Sequence, residues 1–178
     1  ALILAISPSI TAMALDRPPN IVFIITDDQK NDQLGYLEGE ALTHTLDRIA
    51  REGVIFKHNY VASSVCSPSR YTVLSGQYAS RVDLPFFKES TTDEGVCRVL
   101  WNVGYTHGQP TLQGVLQDNG YATACIGKWH LGSCPNFHPN ARGFDHFYGH
   151  LSGMVDYFAH TNNGAVDWQR NGAALEED

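Results

Sequence analysis

The stretch Ser64-Val65-Cys66-Ser67-Pro68-Ser69-Arg70-Tyr71-Thr72-Val73-Leu74-Ser75-Gly76 organises the chain. A cysteine is followed at once by a helix-start signal: Ser67 can cap, and Pro68 suits the first helical position. Cys66 then stands at the positive end of a helix dipole, with Arg70 about one turn further on. That setting favours an anionic oxygen or thiolate at position 66 and an anionic substrate beside it. Taken alone, a cysteine before a capped helix is more often a buried structural residue.

Upstream, Arg17-Pro18-Pro19-Asn20 is an extended lead-in, because prolines exclude helix there. Ile21-Val22-Phe23-Ile24-Ile25 is a continuous β-branched and aromatic run, which predicts a strand covered on both faces. It ends in Thr26-Asp27-Asp28-Gln29. Sites gather at the carboxyl ends of strands in open α/β sheets, and adjacent acids there suit a hard cation. A turn with solvated carboxylates is the competing reading. Thr43 or Thr45 can cap a helix whose stripe is Leu46, Ile49 and Ala50 and which Gly53 stops. Val54 to Val61 reads as a second strand leading into the Cys66 loop.

Downstream, residues 77–110 form a long connection without periodicity. Phe86, Phe87, Trp101 and Tyr105 could line a substrate mouth there, although covering the core is the commoner role for such residues. Thr111 caps a helix with Leu112, Val115 and Leu116 on one face, closed by Gly120. The strand Tyr121 to Ile126 then runs into Gly127-Lys128-Trp129-His130-Leu131-Gly132. Lys128 and His130, two apart in extended chain, face the same side of the sheet edge. An ammonium can hold an anionic oxygen there, and an imidazole can move protons near neutral pH. His138, His146, His150 and His160 lack metal-ligand spacing, and residues 161–178 suit a surface hairpin or loop.

Composition sets the bounds. With 178 residues, 43% hydrophobic and 17% charged, one globular domain is expected. A net charge of −7 argues against a nucleic-acid surface, so an anionic substrate needs a local positive site. No stretch is long enough to span a bilayer. Apolar residues 1–6 and the small-x-small pattern Ala12-Met13-Ala14 are expected to be part of a signal peptide, giving a secreted or periplasmic protein; an apolar N-terminal helix is the alternative.

Cys-x-Pro-Ser-Arg with a downstream Leu-x-Gly resembles the sulfatase signature, in which the cysteine becomes formylglycine. Gly-Tyr-x-Thr-x-x-x-Gly-Lys-Trp-His, from Gly120 to His130, resembles the second signature of the same family. Arg142 to Gly149 and Gly153 to Phe158 are similar to the segment that follows in arylsulfatases. Ser75 is the one departure within the first signature. The resemblance implies an α/β, alkaline-phosphatase-like fold: a mixed, largely parallel sheet flanked by helices, in agreement with the alternating elements. It also implies hydrolysis of sulfate monoesters, either small molecules or glycans, after maturation by a formylglycine-generating enzyme.

The same resemblance implies catalytic roles for Cys66, Arg70, Lys128 and His130. It implies a divalent cation, calcium before magnesium, on Asp27, Asp28 and residue 66. With Cys66 converted, Cys97, Cys125 and Cys134 are an odd set; Cys125 with Cys134 is the shortest bridge available. The family's later Asp-Asn pair, leaving-group histidine and further lysine have no match. Residues 15–178 are therefore expected to be the N-terminal part of a catalytic domain. Two rival readings are a phosphodiesterase or phosphonate hydrolase of the same superfamily, and a non-catalytic remnant that binds sulfated glycans.

Overall fold

The structure, a computed structural model, describes residues 18–30, 32–81, 90–92, 95–97 and 109–175. The expected leader and the aromatic residues of the 77–110 connection lie outside them. The chain divides into two compact units, Ala1–Tyr60 and Val61–Asp178.

In the first unit, helix α1 spans His44–Glu52, with Leu46 and Ile49 half-buried and Ala50 buried. The expected stripe faces inward. Gly53 ends the helix, its N–H returning to the Ile49 carbonyl at 2.8 Å. Thr43 occupies the N-cap, but its hydroxyl does not cap. It accepts from the Gly35 N–H at 2.8 Å and donates to Asp47 Oδ1 at 2.7 Å, while Asp47 also takes the Tyr36 N–H at 3.0 Å. These bonds tie the turn before the helix to its first turn.

Two expected strands are corrected here. Ile21–Ile25 has no ladder partner among the described residues, and Ile21, Val22 and Ile24 are exposed. Val54–Val61 forms no strand and is broken by a turn at Lys57-His58. An apolar run becomes a buried strand only where neighbours satisfy both its edges and its faces, and the described residues of this unit offer a single α-helix.

The second unit opens with α2, Cys66–Ser75, closed by Gly76 in the left-handed region with its N–H on the Thr72 carbonyl at 2.9 Å. Two short strands, β1 (Ser90–Thr92) and β2 (Gly95–Cys97), pair antiparallel. Helix α3 spans Leu112–Asp118, and the Thr111 hydroxyl caps it by accepting the Gly114 N–H. Strands β3 (Ala124–Lys128), β4 (His146–His150), β7 (Trp168–Arg170) and β8 (Ala173–Ala174) form one sheet in that order. The small hairpin β5 (Thr161–Asn162) and β6 (Ala165–Val166) stands apart from it. β3 and β4 run parallel while the other two pairings are antiparallel, so the sheet is mixed. Asn163-Gly164 and Asn171-Gly172 make the hairpin turns with positive φ at both positions, the geometry that two-residue hairpins demand.

Gly127 and Gly149 face each other across the parallel pair. A β-carbon on Gly149 would fall 2.1 Å from the Gly127 carbonyl oxygen, so the strands close up only without one. Tyr71 from α2, Trp129, Leu131, Phe147 and Leu151 form the core beneath.

The face of α3 is also corrected. Leu112 and Val115 are exposed, whereas Gln113 is 2% exposed and donates to the Arg142 carbonyl at 2.8 Å. Gln117, one turn on, donates to Asp145 Oδ1 at 2.7 Å, so the glutamine side of this short helix is turned towards residues 142–145. Asp145 also accepts the Thr123 N–H at 2.8 Å and its hydroxyl at 3.1 Å, joining α3 to the entry of β3.

These donors, the Thr123 N–H first, hold the Asp145 carboxyl below its ordinary value. A carboxyl depressed in the folded state contributes stability above its unfolded pKa and loses it as pH falls through the folded one. Asp145→Asn is therefore expected to lower the melting temperature at pH 7. The gap from wild type should narrow as pH is taken down through and below the ordinary carboxylate range. Melting curves across that range check it, and a gap that does not change with pH would refute it.

Candidate active site

Helix α2 begins at Cys66 itself, with Val65 at the N-cap in extended conformation and no side chain capping. Ser67 is thus inside the helix, and Pro68 is its third residue. The expected Ser67 cap is corrected: its hydroxyl, fully buried, donates to the His130 carbonyl at 2.6 Å. Ser67 does not cap because it is the second residue of the helix and the N-cap position falls to Val65; its proton is free to go to a tertiary acceptor.

Arg70, on the same face of α2, donates from Nη1 to the Lys128 carbonyl at 2.6 Å. The first turn of the helix is thereby fastened to both ends of Lys128-Trp129-His130. Trp129, between them, is 2% exposed; its indole N–H donates to the Phe137 carbonyl at 2.9 Å, and Phe144 meets it edge-on. From the other side, β4 prolongs its pairing beyond the sheet. The Trp129 N–H donates to the His150 carbonyl and the His130 N–H to the Leu151 carbonyl, both at 3.0 Å.

His130 is held at φ 57°, a left-handed conformation that a non-glycine residue adopts at a cost. With its N–H and carbonyl both fastened, its ring reaches back to α2. Nδ1 lies 3.1 Å from Cys66 Sγ. The structure therefore brings together the backbone or side chains of four residues singled out from sequence: Cys66 and His130 by direct contact, Arg70 and Lys128 through the Lys128 carbonyl. The Cys66 thiol sits on the first turn of α2, where free N–H groups and the dipole favour negative charge.

Three neighbours were given no role at the site in the sequence reading. His150 faces Lys128 across the β3–β4 register and stacks on Trp168. Burial holds its imidazole below the usual value, with Lys128 and Arg70 adding to that effect and Asp167 and Ser152 opposing it. Asp167 accepts the Leu151 N–H at 3.2 Å and the Ser152 N–H at 2.8 Å. Gly153 lies against the His130 ring. His150 ends β4, the strand that pairs with β3, Gly153 follows it by three residues, and Asp167 precedes β7, which pairs with β4; periodicity does not reveal those pairings.

The cysteines are sorted by the structure. Cys66 and Cys125 are free and Cys134 is disulfide-bonded, so the Cys125–Cys134 bridge is not formed. Burial pushes the Cys125 thiol up to about 11, Arg70 opposing, which makes it an inert thiol.

Asp27 and Asp28 belong to the first unit. Both are exposed at the bend that ends the apolar run, and Asp28 is at φ 52°. Two adjacent carboxylates suit a hard cation in kind, but they furnish only part of a shell of about six to eight oxygens. Among the described residues, no group of three or more His, Cys, Asp or Glu side chains is disposed to hold a metal.

Comparison with known proteins places this geometry. The family model described as Sulfatase matches residues 19–173. N-acetylgalactosamine-6-sulfatase of Sus scrofa is 36% identical over 90% of this chain and 32% of its own length. Arylsulfatase G of Mus musculus is 39% identical over 79% of this chain and 25% of its own. A solved structure described as a complex with its substrate D-glucosamine-2-N,6-O-disulfate superposes with a TM-score of 0.64. It is 31% identical and covers 90% of this chain and 28% of its own length. The chain spans about a third or less of the length of these relatives. Its fold is of the alkaline-phosphatase-like α/β kind, and the chain belongs to the sulfatase family.

Proposed function

We propose that this chain supplies the nucleophile-bearing part of an enzyme that hydrolyses sulfate monoesters, with residue 66 converted to formylglycine. The observation that carries the reading is the contact of Cys66 Sγ with His130 Nδ1 at 3.1 Å, on the first turn of α2. Sulfuryl transfer needs a nucleophile, stabilisation of charge on the sulfuryl oxygens, and proton movement at the reacting groups. When present, the formylglycine hydrate supplies a hydroxyl nucleophile, and a hard cation lowers its pKa and polarises the sulfate.

The remaining tasks fall to this chain's own side chains. His130 Nδ1 is within hydrogen-bond reach of the atom at the 66 position and would accept or return its proton. Arg70, fixed through the Lys128 carbonyl, would orient the oxygens of residue 66 and offset their charge. Lys128 would hold a sulfuryl oxygen as a compact positive charge. The free N–H groups at the start of α2 add to that field. Asp27 and Asp28 would contribute oxygens to a hard cation, calcium or magnesium in its place.

The sulfated sugar in the related complex favours a sulfated glycan or small sulfate ester as substrate. Export to an oxidising compartment is proposed from the disulfide at Cys134. No helix among the described residues is long and apolar enough to cross a membrane.

Co-expression with a formylglycine-generating enzyme is expected to convert residue 66, and mass spectrometry of the tryptic peptide His58–Arg70 should read an aldehyde. An intact thiol, with the maturation enzyme active on a control substrate, would sink the mechanism. Separately, Ser67→Ala removes the donor to the His130 carbonyl. It is expected to cost about 1–2 kcal/mol in urea unfolding, and an unchanged midpoint and slope would show that the bond adds nothing.

A further inference from the structure

We infer that Gly153 is a positioning residue for His130 and that Asp167 holds it there. The inference deepens the reading above and depends on it for its catalytic meaning, because His130 matters to sulfuryl transfer only if residue 66 is the nucleophile. Its geometry stands by itself.

A β-carbon built on Gly153 would fall 2.5 Å from both Cε1 and Nε2 of His130 and 3.1 Å from Nδ1. Real β-carbons do not approach so closely, so a side chain at 153 must displace the ring or the loop. The φ of Gly153 lies outside the left-handed region, and the position is only half-buried. Neither backbone conformation nor core packing therefore calls for glycine. The imidazole does.

The main chain of His130 is fastened by the Leu151 carbonyl on its N–H and by the Ser67 hydroxyl on its carbonyl. That leaves rotation of the side chain, which the Cys66 contact at Nδ1 and the Gly153 backbone limit. Gly153 stands one residue after the two amides that Asp167 takes. With Oδ1 on the Leu151 N–H and Oδ2 on the Ser152 N–H, the carboxylate pins the chain immediately before the wall. Asp167 is in turn tied down by its own N–H, which donates to the His160 carbonyl at 2.9 Å. One carboxylate thus sets both the carbonyl that anchors His130 and the backbone that confines its ring.

The test is NMR on the chain carrying the Cys66 thiol, with ring-labelled histidine, in wild type, Gly153→Ala and Asp167→Asn. Wild type should show nuclear Overhauser contacts from His130 Hε1 to both the Gly153 α-protons and the Cys66 β-protons. In Gly153→Ala the contact to Cys66 should be lost while the signals of His138 and His146 stay in place. A merely structural role for Gly153 would lower the melting temperature and leave the His130–Cys66 contact intact. That result, or a wild type lacking the contact, overturns the inference.

Should Gly153→Ala not fold, Asp167→Asn decides. The asparagine keeps one acceptor oxygen, so exchange of the Leu151 or Ser152 amide should quicken and the His130–Cys66 contact weaken together. Quickened exchange with an unchanged contact refutes it. These readouts use the thiol and no turnover, so a failure of the formylglycine mechanism shows only in the peptide mass and is told apart from a failure here.

Discussion

The hydrogen bonds from Ser67 and Arg70 to the carbonyls of His130 and Lys128 are the constraint on which the site depends. Residues three apart on a helix stand about 5–6 Å from each other. The carbonyls of Lys128 and His130 are two residues apart, the second on a residue in the left-handed region, and the i, i+3 pair Ser67 and Arg70 of α2 bonds to both. The residue skipped between them, Trp129, goes into the core. Helix start, strand end and core are locked in one arrangement, and the cysteine that opens the helix is carried to the histidine that closes the strand.

How far this was legible in the sequence differs from element to element. Helix α1, its Gly53 stop and the Thr111 cap follow from local chemistry, because caps and stops are decided within a few residues of the chain. The juxtaposition of Cys66 with His130 was readable only as a resemblance between two motifs. Sixty-four residues separate them, and no spacing rule spans that distance.

The misreadings have a common physical origin. Ile21–Ile25 and Val54–Val61 have strand composition, yet composition states what environment a side chain would favour and not whether a neighbouring strand supplies it. On α3 the apolar period was right and the inward face wrong. Two glutamines found carbonyl and carboxylate partners, and a helix of seven residues has too little apolar surface to override them. Ser67 had the composition of a cap, but the helix starts one residue before it, at Cys66, so its hydroxyl is left to donate to an acceptor within reach. Here that acceptor is a buried carbonyl from another element.

Charge supplies the last step. The chain is net negative by seven, which by itself would repel a sulfate ester. At His150 the local charges oppose one another: Asp167 favours the charged imidazole, while Lys128 and Arg70 disfavour it. The Asp167 carboxylate has an oxygen bonded to each of two successive backbone N–H groups, so part of its charge is met by the chain. The N-terminus of α2 adds its partial positive charge at residue 66. Charges this close set the local field, whereas the distant ones that make the chain net negative are screened by salt.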